Sequence, residues 1–218
     1  MTTIRLRGVL PEVFAGERRG GASSDEVWLG DVTFERGGLY LVEATSGAGK
    51  SSLCSFLYGN RGDYAGTIEF DGRDVRQLSI ADWCRVRRED IALLPQEMRL
   101  FPELTAMENI LVKNRLTGFK TDAEIRRMLD RLGILHKADA LVGRMSIGQQ
   151  QRVALVRTLC QPCSFMLLDE PVSHLDADNN AIAAALVAEE AARQGAAIIA
   201  TSVGNRISLP FTNTLRMT

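Results

Sequence analysis

The run Ala44-Thr45-Ser46-Gly47-Ala48-Gly49-Lys50-Ser51 sets small residues and two glycines directly ahead of a lysine and a hydroxyl, with Ser52 next in line. Small residues and glycines let a backbone curl so that its amides turn inward onto an anion. A helix that begins at such a loop aims its positive N-terminal end at the same anion. Lys50 would then reach the outer phosphates of a polyphosphate, and the Ser51 hydroxyl would ligate Mg²⁺. A second candidate is Phe165-Met166-Leu167-Leu168-Asp169-Glu170, an apolar strand ending in two carboxylates. Ligands of α/β sheets bind outside the carboxyl ends of the strands. Asp169 is placed there to hold Mg²⁺, and Glu170 to orient or deprotonate an attacking water. A third candidate is Ser146-x-x-Gln149, a capping box, which marks a helix N-terminus and hence a further place for an anion.

These residues need a scaffold that brings strand ends together. Leu39–Glu43 reads as a short buried strand before the phosphate-binding loop, and Leu53, Phe56 and Leu57 give the loop a helix behind it. Ile4–Leu10, Val27–Phe34 and Thr67–Phe70 read as further strands, with a Gly/Ser/Arg-rich loop at Gly16–Ser24. Ile91–Leu94, Phe165–Leu168 and Ala196–Ala200 are apolar throughout, as in a mostly parallel sheet covered on both faces. The middle third is helical. Capping boxes stand at Thr105/Glu108 and Thr121/Glu124, and behind the second Ile125, Met128, Leu129 and Leu132 form one apolar face. Ser146–Leu159 and Ala177–Arg193 are the other long helices expected.

The 218 residues suffice to bury a full core without disulfides. Their 26 basic and 27 acidic side chains leave a net charge of −1, which argues against non-specific nucleic-acid binding. No apolar run approaches the ~20 residues of a membrane span, and no secretory signal is visible in MTTIRLRGVLPEV. Cys160 and Cys163 form a lone CxxC, with His136 and His174 isolated from it. Together with Cys54 and Cys84 they read as thiols in a reducing compartment.

In order along the chain stand the phosphate loop, Leu94-Pro95-Gln96, Phe101–Asn109, Met145-Ser146-Ile147-Gly148-Gln149, the strand ending in Asp169-Glu170, and Ser173-His174-Leu175-Asp176. This series resembles the P-loop, Q-loop, signature, Walker B and D-loop of the ATP-binding subunits of ABC transporters, over nearly the whole chain. The segment Phe101–Asn109 is most similar to the lipoprotein-release, macrolide-export and cell-division exporters. The resemblance implies an α/β fold: a P-loop NTPase (RecA-like) core with an antiparallel β subdomain, spanning 1–96 and 160–218, and an inserted helical subdomain at 97–159. It implies ATP and Mg²⁺ as ligands, with Ala44–Ser52 on the phosphates and Ser51, Gln96 and Asp169 toward the metal. Glu170 and Gln96 would be catalytic, and Phe14, or less well Trp28, would stack on adenine. Ser146, Gly148, Gln149 and Asp176 would act on ATP held by a second ATP-binding subunit, and Ser202 would stand near the terminal phosphate. A separate integral membrane permease would dock near Gln96–Leu116, placing the chain in the cytoplasm on the inner face of the membrane, with no nucleic-acid partner.

Four positions depart from the family pattern. Ala44 replaces the first loop glycine, Met145 is a mild replacement for the leucine that opens the signature, Ile147 replaces a signature glycine, and Ser202 stands where the family has a histidine. Serine can donate a hydrogen bond but carries no charge near pH 7. Ile147 and Ser202 predict slow hydrolysis, or a cassette that binds ATP and switches shape with little turnover.

Overall fold

The computed structural model describes residues 1–16 and 26–217; most of the expected Gly16–Ser24 loop lies outside them. The N-terminal strand β1 (Thr3–Pro11) alternates as expected. Ile4, Leu6 and Val9 are buried, while Arg5 reaches out to Asp31 at 2.6 Å and Arg7 pairs with Glu69. It pairs antiparallel with β2 (Asp31–Glu35) and with β4 (Tyr64–Phe70), and a short β5 (Arg73–Asp74) pairs antiparallel with β4 at the sheet edge. The sheet order is β2-β1-β4-β5. The register of β1 against β4 slips between Arg7 and Leu10. Gly66 is required beside that bulge, because a Cβ there would sit 2.2 Å from the Gly8 carbonyl oxygen.

The second sheet is parallel: β6 (Ile91–Leu94), β7 (Phe165–Asp169), β8 (Ala197–Ser202), β3 (Leu39–Ala44) and β9 (Asn213–Met217), in that spatial order. Every residue of β7 is buried, because the strand has a core on each face. Phe165 and Leu167 join Leu53 and Phe56 of α1 (Lys50–Leu57) and the inner face of the antiparallel sheet. Met166 and Leu168 face the larger cluster under the other helices. A strand of alternating character would strand polar groups in one of these cores, so the all-apolar sequence is what the position demands.

A short α2 (Ile80–Arg85) precedes β6. Then come α3 (Ala106–Asn114), α4 (Asp122–Arg131) and α5 (Ile147–Leu159), and after β7 the long α6 (Ala177–Gln194). The capping boxes at Thr105/Glu108, Thr121/Glu124 and Ser146/Gln149 are all formed, each satisfying amides that would otherwise lack partners. Ile125, Met128, Leu129 and Leu132 are buried together. The apolar faces of α3, α4, α5 and α6 merge into one cluster on the sheet.

One expectation needs correction, and one strand is unexpected. Val27–Phe34 is not one strand: Val27–Gly30 is a turn and β2 begins at Asp31. Leu29 takes φ 65°, and the Trp28 side chain turns inward to the phosphate loop. The strand β9 carried no sequence signal, since it is a polar edge strand whose one buried residue is Met217.

Candidate functional site

The loop between β3 and α1 is built for an anion. Gly47 (φ 86°) and Gly49 (φ 98°) lie in the left-handed region that favours glycine. Gly49 caps α1 without any side-chain acceptor, so the first helical amides are not claimed by a side chain. Ala44, by contrast, is the last residue of β3, paired with Met217, and does not take positive φ. An alanine therefore costs nothing there. Behind the loop, a Cβ at Gly49 would lie 3.0 Å from Phe14 and 3.1 Å from Trp28. The buried Trp28 donates Nε1–H to the Ala48 carbonyl at 2.8 Å, making it a strut of the loop. Phe14 is half-buried against the same glycine. Thr45 and Ser46 are exposed. Lys50 is 6% exposed, with Nζ donating to the Thr45 carbonyl at 3.3 Å and lying 3.7 Å from Glu170 Oε1.

The acidic end of β7 stands opposite this loop. Asp169 Oδ1 accepts from Thr201 Oγ1 at 2.6 Å, and the same hydroxyl accepts from the Glu170 amide at 3.3 Å. Glu170 takes φ 50°, a conformation that costs a non-glycine residue on the order of 1–3 kcal/mol. Its backbone is held by that amide contact and by a carbonyl that accepts from Gln151 Nε2 at 3.2 Å and from the Ser173 amide at 3.3 Å. Thr201 and Gln151 are the supporting residues that sequence reasoning missed. The strand register that pairs Asp169 with Thr201 was the signal needed. Thr201→Val should keep the fold and lower any Asp169/Glu170-dependent turnover by about tenfold to a hundredfold, the usual cost of losing an outer-shell partner. Steady-state kinetics with a melting curve as control checks this.

Gln96 follows β6 and Pro95. Its Oε1 accepts from Ser51 Oγ at 3.4 Å, and Ser51, Gln96 and Asp169 line one cavity of about 130 Å³. Three oxygen donors around one space suit a hard divalent cation such as Mg²⁺, so the residues fit the metal the loop implies.

Other expected residues lie apart. Ser146 caps α5, accepting from the Gln149 amide at 3.3 Å, while Gln149 Oε1 accepts from the Ser146 amide at 3.0 Å. Gly148 lets α5 approach the turn after β7: a Cβ would sit 2.8 Å from the His174 carbonyl oxygen. Ile147 projects between them, 49% exposed. Asp176 caps α6 by accepting from the Asn179 amide at 2.8 Å, and the bonds from Asn179 hold its carboxyl below the usual range. Among the described residues, no hydrogen bond or ion pair links these groups to Ala44–Ser51. Ser202 is buried at the end of β8, its hydroxyl without a partner, lining a cleft of about 370 Å³ with Thr45, Glu43 and Arg216. Cys160 and Cys163 are buried, and burial pushes both thiols up to about 12, far from the thiolate that redox or metal chemistry needs.

A family model described as "ABC transporter" matches residues 30–173. The chain belongs to the ABC transporter family. The lipoprotein-releasing system ATP-binding protein LolD of Shewanella frigidimarina is 30% identical over 190 residues, covering 86% of this chain and 80% of that protein. The macrolide export ATP-binding/permease protein MacB 1/2 of Paracoccus denitrificans is 34% identical over 79% of this chain, which spans 26% of that larger protein. An ATP-binding cassette solved as a dimer in a post-hydrolysis state with ADP and Pi superposes with a TM-score of 0.75, covering 93% of this chain and 88% of that one at 21% identity. The fold of this ABC chain is therefore that of the P-loop NTPase cassettes, an antiparallel and a parallel sheet with helices packed on them.

Proposed function

We propose that this chain binds ATP with Mg²⁺ and hydrolyses it, as the ATP-binding subunit that drives a separate membrane permease. The observation that carries the proposal is the convergence of Lys50, Ser51, Gln96, Asp169 and Glu170 at the carboxyl ends of β3, β6 and β7. The amides of Thr45–Ser52 and the Lys50 ammonium would hold the phosphates. Ser51, Gln96 and Asp169 would hold Mg²⁺, which when bound draws charge from the phosphoryl oxygens. Glu170 aims the attacking water and takes its proton, and its rigid, strained backbone keeps the carboxylate from swinging away. Phosphoryl transfer asks for little else than such positioning and charge neutralisation.

Phe14, packed on Gly49, is assigned to the adenine side. Ser146, Gly148, Gln149 and Asp176 have no link to the loop on their own chain. They are assigned to the ATP of a second ATP-binding subunit, consistent with the dimer in which one structural neighbour was solved. Relatives named for lipoprotein release and macrolide export support the permease partner, and with it a place on the cytoplasmic face of the membrane. No helix among the described residues is long and apolar enough to cross a membrane. The exposed side chains of Phe101, Val112 and Leu116, within Gln96–Leu116, are assigned to the permease contact, and 97–159 to a helical subdomain that carries it.

A second reading is favoured by Ser202 and Ile147: ATP binding that switches the dimer with little hydrolysis. The Ser202 hydroxyl is buried and uncharged where the family has a histidine, and Ile147 thrusts a branched side chain out of a helix N-terminus meant to meet phosphate. Steady-state ATP turnover of the wild type and of Ser202→His separates the two. Robust wild-type turnover, changed less than about threefold by the substitution, upholds hydrolysis. A negligible wild-type rate that rises at least tenfold, about 1.4 kcal/mol of barrier, upholds the switch.

A further inference from the structure

β8 stands between β7, which ends in the acidic pair, and β3, which runs into the phosphate loop. The segment that follows β8 therefore emerges between those two parts of the site. It is pinned from both sides. Asn205 Nδ2 donates to the carbonyl of Val172, two residues beyond Glu170, at 3.0 Å. Asn180 of α6, 7% exposed, donates from Nδ2 to the Arg206 carbonyl at 2.9 Å and accepts at Oδ1 from the Ser208 amide at 3.0 Å. The backbone of Arg206 is thus fixed, whereas its side chain is 66% exposed. Among the described residues its one ion-pair partner is Glu43 at 3.9 Å, near the outer limit of such a contact. Glu43 is the register partner of Ser202, and both line the cleft of about 370 Å³ that reaches Thr45 of the phosphate loop.

The side chains at these strand ends are poorly balanced for a polyphosphate. Asp169, Glu170 and Glu43 bring three carboxylates, and Ser202 brings a hydroxyl without charge. The buried ammonium of Lys50 already lies 3.7 Å from one of them, Glu170. A long, exposed ion pair such as Arg206–Glu43 is weakly held, while a guanidinium presents a planar fork of N–H groups that matches phosphate. We propose that Arg206 is a further phosphate-binding residue, whose guanidinium exchanges Glu43 for the terminal phosphate of bound ATP. It supplies the positive charge that the end of β8 lacks. Arg216 lines the same cleft but belongs to β9, on the side of β3 away from β7, so strand order favours Arg206. The inference rests on the proposed ATP site and holds whether or not that ATP is hydrolysed.

Calorimetric titration of the full chain in Mg²⁺, with ADP and with a non-hydrolysable ATP analogue, isolates the terminal phosphate from the rest of the nucleotide. Arg206→Gln should weaken the analogue by about tenfold or more, as loss of a charge-assisted contact does, and ADP by less than about twofold. Arg206→Lys, which keeps the charge and loses the fork, should fall between wild type and Arg206→Gln. Glu43→Gln, which frees the guanidinium, should tighten the analogue and leave ADP unchanged. Equal losses for ADP and analogue in Arg206→Gln, as a purely structural role would give, no loss for either, or a weaker analogue in Glu43→Gln would overturn the inference. If Arg206→Gln fails to fold, Arg206→Lys decides. A loss of at least about threefold confined to the analogue upholds the inference, and an unchanged affinity overturns it. No binding of either nucleotide to the wild type defeats the proposed function and this inference with it. Both nucleotides bound without dependence on Arg206 defeat the inference alone.

Discussion

Glu170→Gln should lower steady-state ATP turnover by about a thousandfold, within the range general-base catalysis commonly contributes, while ATP still binds. The change is isosteric and spares the backbone that fixes the residue. The amide contact with Thr201 and the carbonyl contacts with Gln151 and Ser173 all remain. What disappears is the carboxylate that takes a proton, along with the 3.7 Å ion pair to Lys50. Releasing Lys50 from that pair leaves its ammonium free for phosphate, so affinity for ATP should hold or rise. Size-exclusion chromatography with Mg²⁺ and ATP should accordingly recover a dimer of the variant. Turnover within tenfold of wild type would remove Glu170 from the chemistry.

Lys50→Met should act on binding instead. The ammonium is buried inside the loop, 3.3 Å from the Thr45 carbonyl, where solvent screens it little. A charge-assisted hydrogen bond in such a place contributes about 2–3 kcal/mol, a roughly 30- to 150-fold weaker Kd when it is lost. Methionine retains the length of the stem and its packing, so the melting temperature should move little. Titration with a fluorescent ATP analogue reads the difference. A Kd within threefold of wild type would mean that the Lys50 ammonium does not contact the phosphates.

The features legible in the sequence were those whose causes are local or repeated. Capping boxes at Thr105, Thr121 and Ser146 are satisfied within four residues, so the chain itself announces them. The wholly apolar Phe165–Leu168 declared a sheet covered on both faces because no other setting buries it. The phosphate loop was legible because left-handed turns favour glycine and Gly47 and Gly49 supply it. What remained hidden depended on contacts far apart in sequence. Thr201 meets Asp169 across 32 residues through strand register, and Trp28 reaches Ala48 across 20. β9 borrows its order from β3, and its own residues are mostly polar. Three of the departures from the family pattern also separate only in three dimensions. Ala44 is harmless in extended backbone, Ile147 is exposed at a helix start, and Ser202 is buried with an unsatisfied hydroxyl.

The most direct test of ATP hydrolysis at this site is a single-turnover experiment, with the chain in excess over γ-labelled ATP, quenched at intervals with and without Mg²⁺. Nearly all bound ATP should release its terminal phosphate in one exponential phase, chelation of Mg²⁺ should stop it, and Glu170→Gln should abolish it. ATP that binds the wild type with Mg²⁺ and is recovered intact after hours would contradict hydrolysis and leave the chain a nucleotide-driven switch.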